Sequence, residues 1–183
     1  SSVLYGSNVN SDVPFAGVVT PTAAAAASAT RNNRIGISGT TATIKSGSYK
    51  RELLKINPSL QIVEQDCPLF VPLVENGFTE KDNKASLIIA EKYLAVFREK
   101  KVDTLILGCT HYPIISDIIS KVVGAEVKLI DSGKEAALFA ANALNFSENL
   151  ANRQTQGCCT FYVSDTVNSF SKTASVFLQQ NVK

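Results

Sequence analysis

Methionine is absent from the 183-residue sequence, histidine occurs once and cysteine four times. Without methionine the chain does not begin with an initiator residue, so Ser1 is not expected to be where translation started. A single imidazole, His111, excludes any site built from several histidines. Four cysteines are too sparse for a disulfide scaffold and suit a reducing cytoplasm. No apolar run approaches the roughly 18–20 residues that a membrane span requires. The opening Ser1-Ser2-Val3-Leu4-Tyr5 lacks the basic and apolar regions of a signal peptide. Neither sign of charge dominates: 18 basic against 16 acidic side chains leave +2, which points to neither nucleic acid nor an anionic membrane as partner.

What is present is enough to build a core. Hydrophobic residues make up 45% of the chain and charged residues 19%, and at about 150 residues per domain the length allows one full domain, or one plus a fragment. Short apolar runs alternate with helical stretches. Strands are expected at Phe15–Val19, Arg34–Ser38, Leu60–Val63, Val102–Leu107, Val127–Ile130 and Cys159–Val163. Thr20 and Pro21 are expected to open a helix through the alanine run to Ala29, for which a low-complexity tract is the rival reading. Further helices are expected from the Gly39–Thr43 turn to Leu54, over 80–100 (Leu87, Ala90, Leu94 and Phe97 at helical spacing), over Ile114–Val123, from an Asp131-Ser132 cap to Leu144, and after Asp165. Cys67–Gly77 reads as a loop with a short helix, and Asn145–Gly157 as a polar loop. Strand followed by helix, repeated about six times, predicts an α/β fold with parallel sheets covered by helices. Such sheets bind ligands beyond the carboxyl ends of their strands.

Three of those ends carry unusual residues. In Leu107-Gly108-Cys109-Thr110-His111-Tyr112-Pro113 the glycine permits a sharp turn, and Cys109 then falls between a strand and a helix N-terminus, where an anion is stabilised. Thr110 adds a hydroxyl, and an imidazole such as His111 exchanges protons near neutral pH. Gly39-Thr40-Thr41-Ala42-Thr43 offers hydroxyls and backbone donors suited to a carboxylate or amino group, although Thr40 and Thr43 also read as plain helix caps. Asp66-Cys67-Pro68 leads on to Glu75, which also reads as a solvated loop acid. Packing alone accounts for Cys67, Cys158 and Cys159. For Cys109 the polar neighbours weigh against it. A zinc site is disfavoured, since the Cys-x-His spacing is tight and no Cys-x-x-Cys exists.

Thr104–Pro113, with its Gly-Cys-Thr-His-Tyr-Pro run, resembles the second cysteine motif of the glutamate racemases in the aspartate/glutamate racemase family. Ile35-Gly36-Ile37 with Gly39–Gly47, Cys67–Glu75, Leu129-Ile130-Asp131 and Phe161–Ser164 are similar to further family stretches, in order along the chain. The resemblance implies two similar parallel-sheet α/β domains facing a central cleft. Residues 1–19 and 128–183 would be parts of a discontinuous and incomplete first domain, and 20–127 the second. It implies an isomerase that interconverts L- and D-glutamate for peptidoglycan precursor synthesis and cell shape, by proton abstraction between two cysteines without a cofactor or metal. Cys109 and His111 would be catalytic, and Thr110, His111, Thr40, Thr43 and Glu75 would bind substrate. Glutamate is the implied small-molecule partner, a homodimer the implied assembly and the cytoplasm the implied location, with no nucleic-acid or membrane partner. The family's Asp-Ser pair, Tyr-Gly pair and first cysteine, in a Cys-Asn-Thr turn, do not occur ahead of Ser1, so this chain is expected to carry only the second cysteine and to be inactive alone. The alternative is a non-catalytic amino-acid or carboxylate-binding domain.

Overall fold

A computed structural model describes residues 16–146, 157–163 and 167–178. Its frame is a four-stranded, wholly parallel sheet built from β1 (Arg34–Gly39), β2 (Gln61–Asp66), β3 (Thr104–Leu107) and β4 (Lys128–Asp131), in the spatial order β2-β1-β3-β4. Helices run between and after the strands: α1 (Val19–Ala29), α2 (Thr41–Ser46), α3 (Ser48–Ile56), α4 (Phe70–Glu75), α5 (Lys84–Glu99), α6 (Ser116–Val123), α7 (Ser132–Phe146) and α8 (Val167–Leu178). The expected parallel α/β architecture is present. The expected boundary at 127/128 falls between β3 and β4, which pair in this one sheet.

Side-chain alternation along the strands divides the core between the two faces of the sheet. Leu105 and Leu107 of β3 join Phe70, Leu94, Phe97, Ile118 and Ile119 on one side. Ile106 points the other way, with Ile35 and Ile37 of β1, onto Ala23 and Ala26 of α1 and Tyr49 and Leu53 of α3. The alanine run is therefore a packed helix: its small side chains let α1 lie close against the sheet, with Ala23 and Ala26 fully buried. Gly36 makes the same allowance on the opposite face, since a Cβ there would stand 2.8 Å from the Phe97 ring.

Several boundaries differ from expectation. The strand expected at Phe15–Val19 does not form over 16–19, and Phe15 lies outside the described residues. Val19 instead begins α1, with the Val18 carbonyl accepting 2.6 Å from the Thr22 hydroxyl. Pro21, whose fixed φ suits a first helical turn, holds the β-branched pair in the helix. The helix expected through Leu54 breaks at Gly47, whose left-handed backbone (φ 59°) ends α2 and starts α3. Residues 157–163 form no strand and are exposed, because none of the four strands pairs with them; Phe161 instead packs on Phe170 of α8, ring centroids 5.9 Å apart. Asp165 lies outside the described residues. Helix α7 runs two residues beyond the expected end, and its Asp131 cap is present, with Oδ1 accepting from the N–H of Gly133 (2.8 Å) and Lys134 (3.2 Å).

Asp103, just before β3, ties the turn after α1 to the sheet. Its carboxylate accepts from the Thr30 hydroxyl (2.7 Å), the Arg31 and Asn32 N–H groups (2.7 and 2.8 Å) and the Thr104 hydroxyl (3.0 Å). Partial burial pushes its pKa up, but these donors together outweigh that and hold the carboxyl below the ordinary range. A carboxyl depressed on folding stabilises the fold above its unfolded pKa, and that stability is lost as pH falls through the folded value. Asp103→Ala is expected to cost roughly 1–3 kcal/mol at pH 7, seen as a lower urea midpoint. Asp103→Asn should also blunt the acid-side loss of stability shown by the parent. Equal midpoints for all three proteins at pH 7 would sink the clamp.

Candidate active site

The register sets the strand ends level with one another. Gly39 pairs with Asp66, Ser38 with Leu107, and Leu107 with Asp131, so the segments that follow leave the sheet at one edge. Backbone bonds continue the ladder one step further, from Gly108 N–H to Ser38 O (2.8 Å) and from Cys67 N–H to Gly39 O (2.9 Å). Gly108 is required by this approach: a Cβ there would lie 2.8 Å from the Ser38 carbonyl oxygen, which the sheet holds in place, and 3.3 Å from the Tyr49 ring. The chain then turns through Cys109-Thr110-His111, with Tyr112 N–H bonding Cys109 O at 3.1 Å, into a 3₁₀ turn over Tyr112–Ile115. Tyr112 anchors the turn from below. Its buried hydroxyl donates to Cys67 O at 3.0 Å, and its ring meets Phe70 edge-on with centroids 5.1 Å apart.

The expected site residues fall into two neighbouring groups. In the first, His111 is the hub: Nδ1 lies 3.8 Å from Cys109 Sγ and 3.5 Å from Thr110 Oγ1, and Nε2 lies 3.2 Å from Glu75 Oε1. Glu75, at the C-terminal end of α4, thus faces the imidazole across 36 residues of sequence. In the second, Thr40 caps α2 by accepting from Thr43 N–H (3.2 Å), while the two hydroxyls share a 3.0 Å hydrogen bond and Thr43 Oγ1 approaches Gly108 O at 3.5 Å. The capping role is real, and it places the threonine pair beside the Cys109 turn. Next to it, Thr41 donates to Asp66 Oδ2 at 2.8 Å. Two contributors were not singled out from the sequence: the Tyr112 anchor, and Phe177 of α8, whose ring meets that of His111 edge-on at 5.1 Å. Neither contact has a local signal, since one spans 45 residues and the other joins His111 to Phe177, 66 positions further on.

The thiols have separate characters. Burial pushes Cys109 above the ordinary thiol value and the charge of Glu75 adds to it, while the His111 N–H pulls the other way. At rest burial wins over that backbone N–H, and Cys109 stands as a thiol in place of the expected thiolate. Cys67 is fully buried; burial first, and then the charge of Asp66, push it up to about 12. It is unsuited to proton transfer near neutral pH. Cys158 and Cys159 are exposed and free. Among the described residues, no three His, Cys, Asp or Glu side chains are grouped as metal ligands, and no helix is long and apolar enough to cross a membrane.

The model of the Asp/Glu/Hydantoin racemase family matches residues 8–140, which contain every residue of both groups. The chain belongs to that family. It is 43% identical over 166 residues to the glutamate racemase of Geobacter metallireducens, covering 91% of this chain and 61% of that protein. It is 39% identical over 175 residues to the Streptococcus agalactiae enzyme, covering 93% and 64%. The chain thus spans less than two thirds of the length of these curated relatives. A glutamate racemase isoform from Bacillus anthracis superposes with a TM-score of 0.87 at 30% identity, over 95% of this chain and 64% of that one. The Francisella tularensis glutamate racemase, solved in complex with D-glutamate, superposes at 0.84 with 32% identity, over 94% and 62%.

Accessibility and burial order the cysteines. Iodoacetamide at neutral pH is expected to label Cys158 and Cys159 first. Cys109 should follow, at a rate that climbs steeply as pH rises past the ordinary thiol value of about 8.5. Cys67 should stay unlabelled until the chain is unfolded. Peptide mass spectrometry reads the order, and labelling of Cys67 in the folded protein ahead of Cys109 would overturn it.

Proposed function

We propose that this chain is part of a glutamate racemase in which Cys109 is one of two opposed thiol bases. The observation that carries the reading is the Cys109–His111–Glu75 arrangement at the carboxyl end of a central strand, in a chain whose curated relatives are glutamate racemases. The α-proton of an amino acid is weakly acidic, and inversion needs a group on each face of the α-carbon: one removes the proton while the other delivers a proton from the opposite side. A thiol at Cys109 is poised to deliver, and its thiolate to abstract in the reverse direction. His111, held between Sγ and Glu75, takes up the thiol proton or steadies the thiolate. Thr40 and Thr43 sit where their hydroxyls can receive the carboxylate or amino group of glutamate, and Thr110 borders the same space. Glu75 works best through the imidazole, because a carboxylate facing the substrate's own carboxylates would repel them.

On this reading the opposing base comes from outside residues 1–183. Cys67 is buried and holds its proton. The product is D-glutamate for peptidoglycan precursors, the assembly a homodimer, and the compartment the cytoplasm, which the four free thiols suit.

In the full-length protein, Cys109→Ala is expected to abolish racemisation of glutamate while leaving glutamate binding measurable. A retained rate would remove the thiol from the mechanism; binding without any turnover, in the parent as well, would favour the carboxylate-binding alternative. Thr40→Val and Thr43→Val should each lower kcat/KM by the equivalent of about 1.5–3 kcal/mol, as loss of a donor to a charged group does. If both keep the parental kcat/KM with an intact fold, they are caps only. Residues 1–183 expressed alone should exchange the α-hydrogen of glutamate with solvent slowly or not at all, and should not invert it.

A further inference from the structure

The imidazole of His111 is enclosed on more sides than the chemistry of its nitrogens requires. Thr110 and Cys109 lie at Nδ1 and Glu75 at Nε2, and the Phe177 ring stands perpendicular to it (89°) with centroids 5.1 Å apart. Only 19% of the side chain remains exposed. Phe177 reaches this position because α8 packs through one face: Phe170, Ala174 and Phe177 recur at helical spacing, Ala174 is buried, and Phe170 rests on Phe161. The family match ends at residue 140, so this contact arises from a part of the chain that the match does not describe.

We propose that Phe177 is a positioning residue for the acid–base centre: its ring holds the His111 imidazole in the one orientation that presents Nδ1 to Cys109 and Nε2 to Glu75. The argument is geometric. A histidine side chain with one weak contact at sulfur (3.8 Å), one long contact at Thr110 (3.5 Å) and a half-exposed carboxylate partner is poorly fixed by its polar bonds alone. An edge-to-face aromatic contact supplies a further constraint, because its energy depends on the mutual orientation of the two rings. The same ring shields one side of the imidazole from water, which strengthens its interaction with the sulfur. Among the described residues, the charged and titratable groups set against the imidazole are Glu75 from α4 and Cys109 from its own turn. The contact from α8 is the apolar Phe177 ring, so Phe177 acts through orientation and exclusion of water and not through charge. The catalytic meaning of this role rests on the racemase reading, whereas the positioning itself does not.

The test separates the two. In the full-length protein, the pH midpoint for alkylation of Cys109 by iodoacetamide is followed by peptide mass spectrometry in the parent, Phe177→Tyr, Phe177→Leu and Phe177→Ala, with circular dichroism confirming the fold of each. The midpoint reports the thiol's titration, whereas a change in access alters only the plateau rate. Phe177→Ala and Phe177→Leu are expected to raise the midpoint, lowering the thiolate fraction at fixed pH roughly two- to tenfold, the range an aromatic edge contact sets on an orientation equilibrium. Phe177→Tyr, which keeps the ring, should retain the parental midpoint. If glutamate is turned over, kcat should fall in the leucine and alanine variants with KM little changed. A parental midpoint in Phe177→Leu would overturn the proposal, since filling space would then suffice, and so would a parental midpoint in Phe177→Ala. Because alkylation needs no substrate, a shifted midpoint in a protein that does not racemise glutamate would leave the positioning role standing and remove the racemase reading.

Discussion

The site depends on how closely the backbone at Gly108 passes Ser38. The β1–β3 ladder runs one hydrogen bond past the end of β3, and at that step the Gly108 α-carbon lies so near the Ser38 carbonyl that a methyl group would stand 2.8 Å from its oxygen. A sheet carbonyl in a central strand cannot yield without disturbing the strands on both sides, so the position admits only glycine. From there the direction of the next three residues is set. Cys109 leaves the sheet beside the Thr40–Thr43 pair, and His111 turns toward α4, while Tyr112 drops into the core and bonds Cys67 O. Displacement at Gly108 would move all of these together, because each is referenced to the same short turn.

Within that frame two opposing effects act on the Cys109 sulfur. Partial burial favours the neutral thiol, and the Glu75 carboxylate favours it as well; the His111 N–H opposes them and loses. The resting protein therefore stores a proton on sulfur. On the racemase reading this suits an acid that delivers a proton to a carbanion, but the same group has to be a base in the reverse direction. The imidazole is placed to take part without a change of fold: Nδ1 is already at 3.8 Å from sulfur, and Glu75 Oε1 stands 3.2 Å from the far nitrogen. Closing such a site around a substrate would exclude water and strengthen both interactions, so that a small change in distance moves the balance between thiol and thiolate.

Much of this was legible in the sequence where the signals are local. The strands at Arg34 and Thr104 are short, largely apolar runs ended by glycine, and the helix over Lys84–Glu99 carries its apolar residues at helical spacing behind an Asn83 cap. The Gly-Cys-Thr-His-Tyr-Pro run located the turn and its polar residues. Misreadings fell where a local preference yields to a neighbour. Val18-Val19 has the composition of a strand, but Pro21 and the Thr22 hydroxyl draw it into α1. Cys159–Val163 has the pattern of a strand but no ladder partner among the described strands. Glu75 could be named as a polar residue near the site, but nothing local shows that it lies 3.2 Å from an imidazole 36 positions away. Residue types at strand ends can be read from sequence; which of them meet is decided by topology.

The two cysteines at neighbouring strand ends make that distinction concrete. Cys67 follows β2 and Cys109 follows β3, each at the carboxyl edge of the same sheet, and by sequence pattern alone either could be a base. Cys67 points inward, packed with Phe70 and capped at its carbonyl by Tyr112, and its thiol is held protonated to about 12. Cys109 keeps partial access and an imidazole neighbour. Of these two, only Cys109 is a usable thiol, and it lies beside the threonine pair. A lone base of this kind takes a proton from the face of the α-carbon it meets and returns it to that same face, so exchange without inversion is all it supports. On the racemase reading, inversion requires a second acid–base group across the substrate from Cys109.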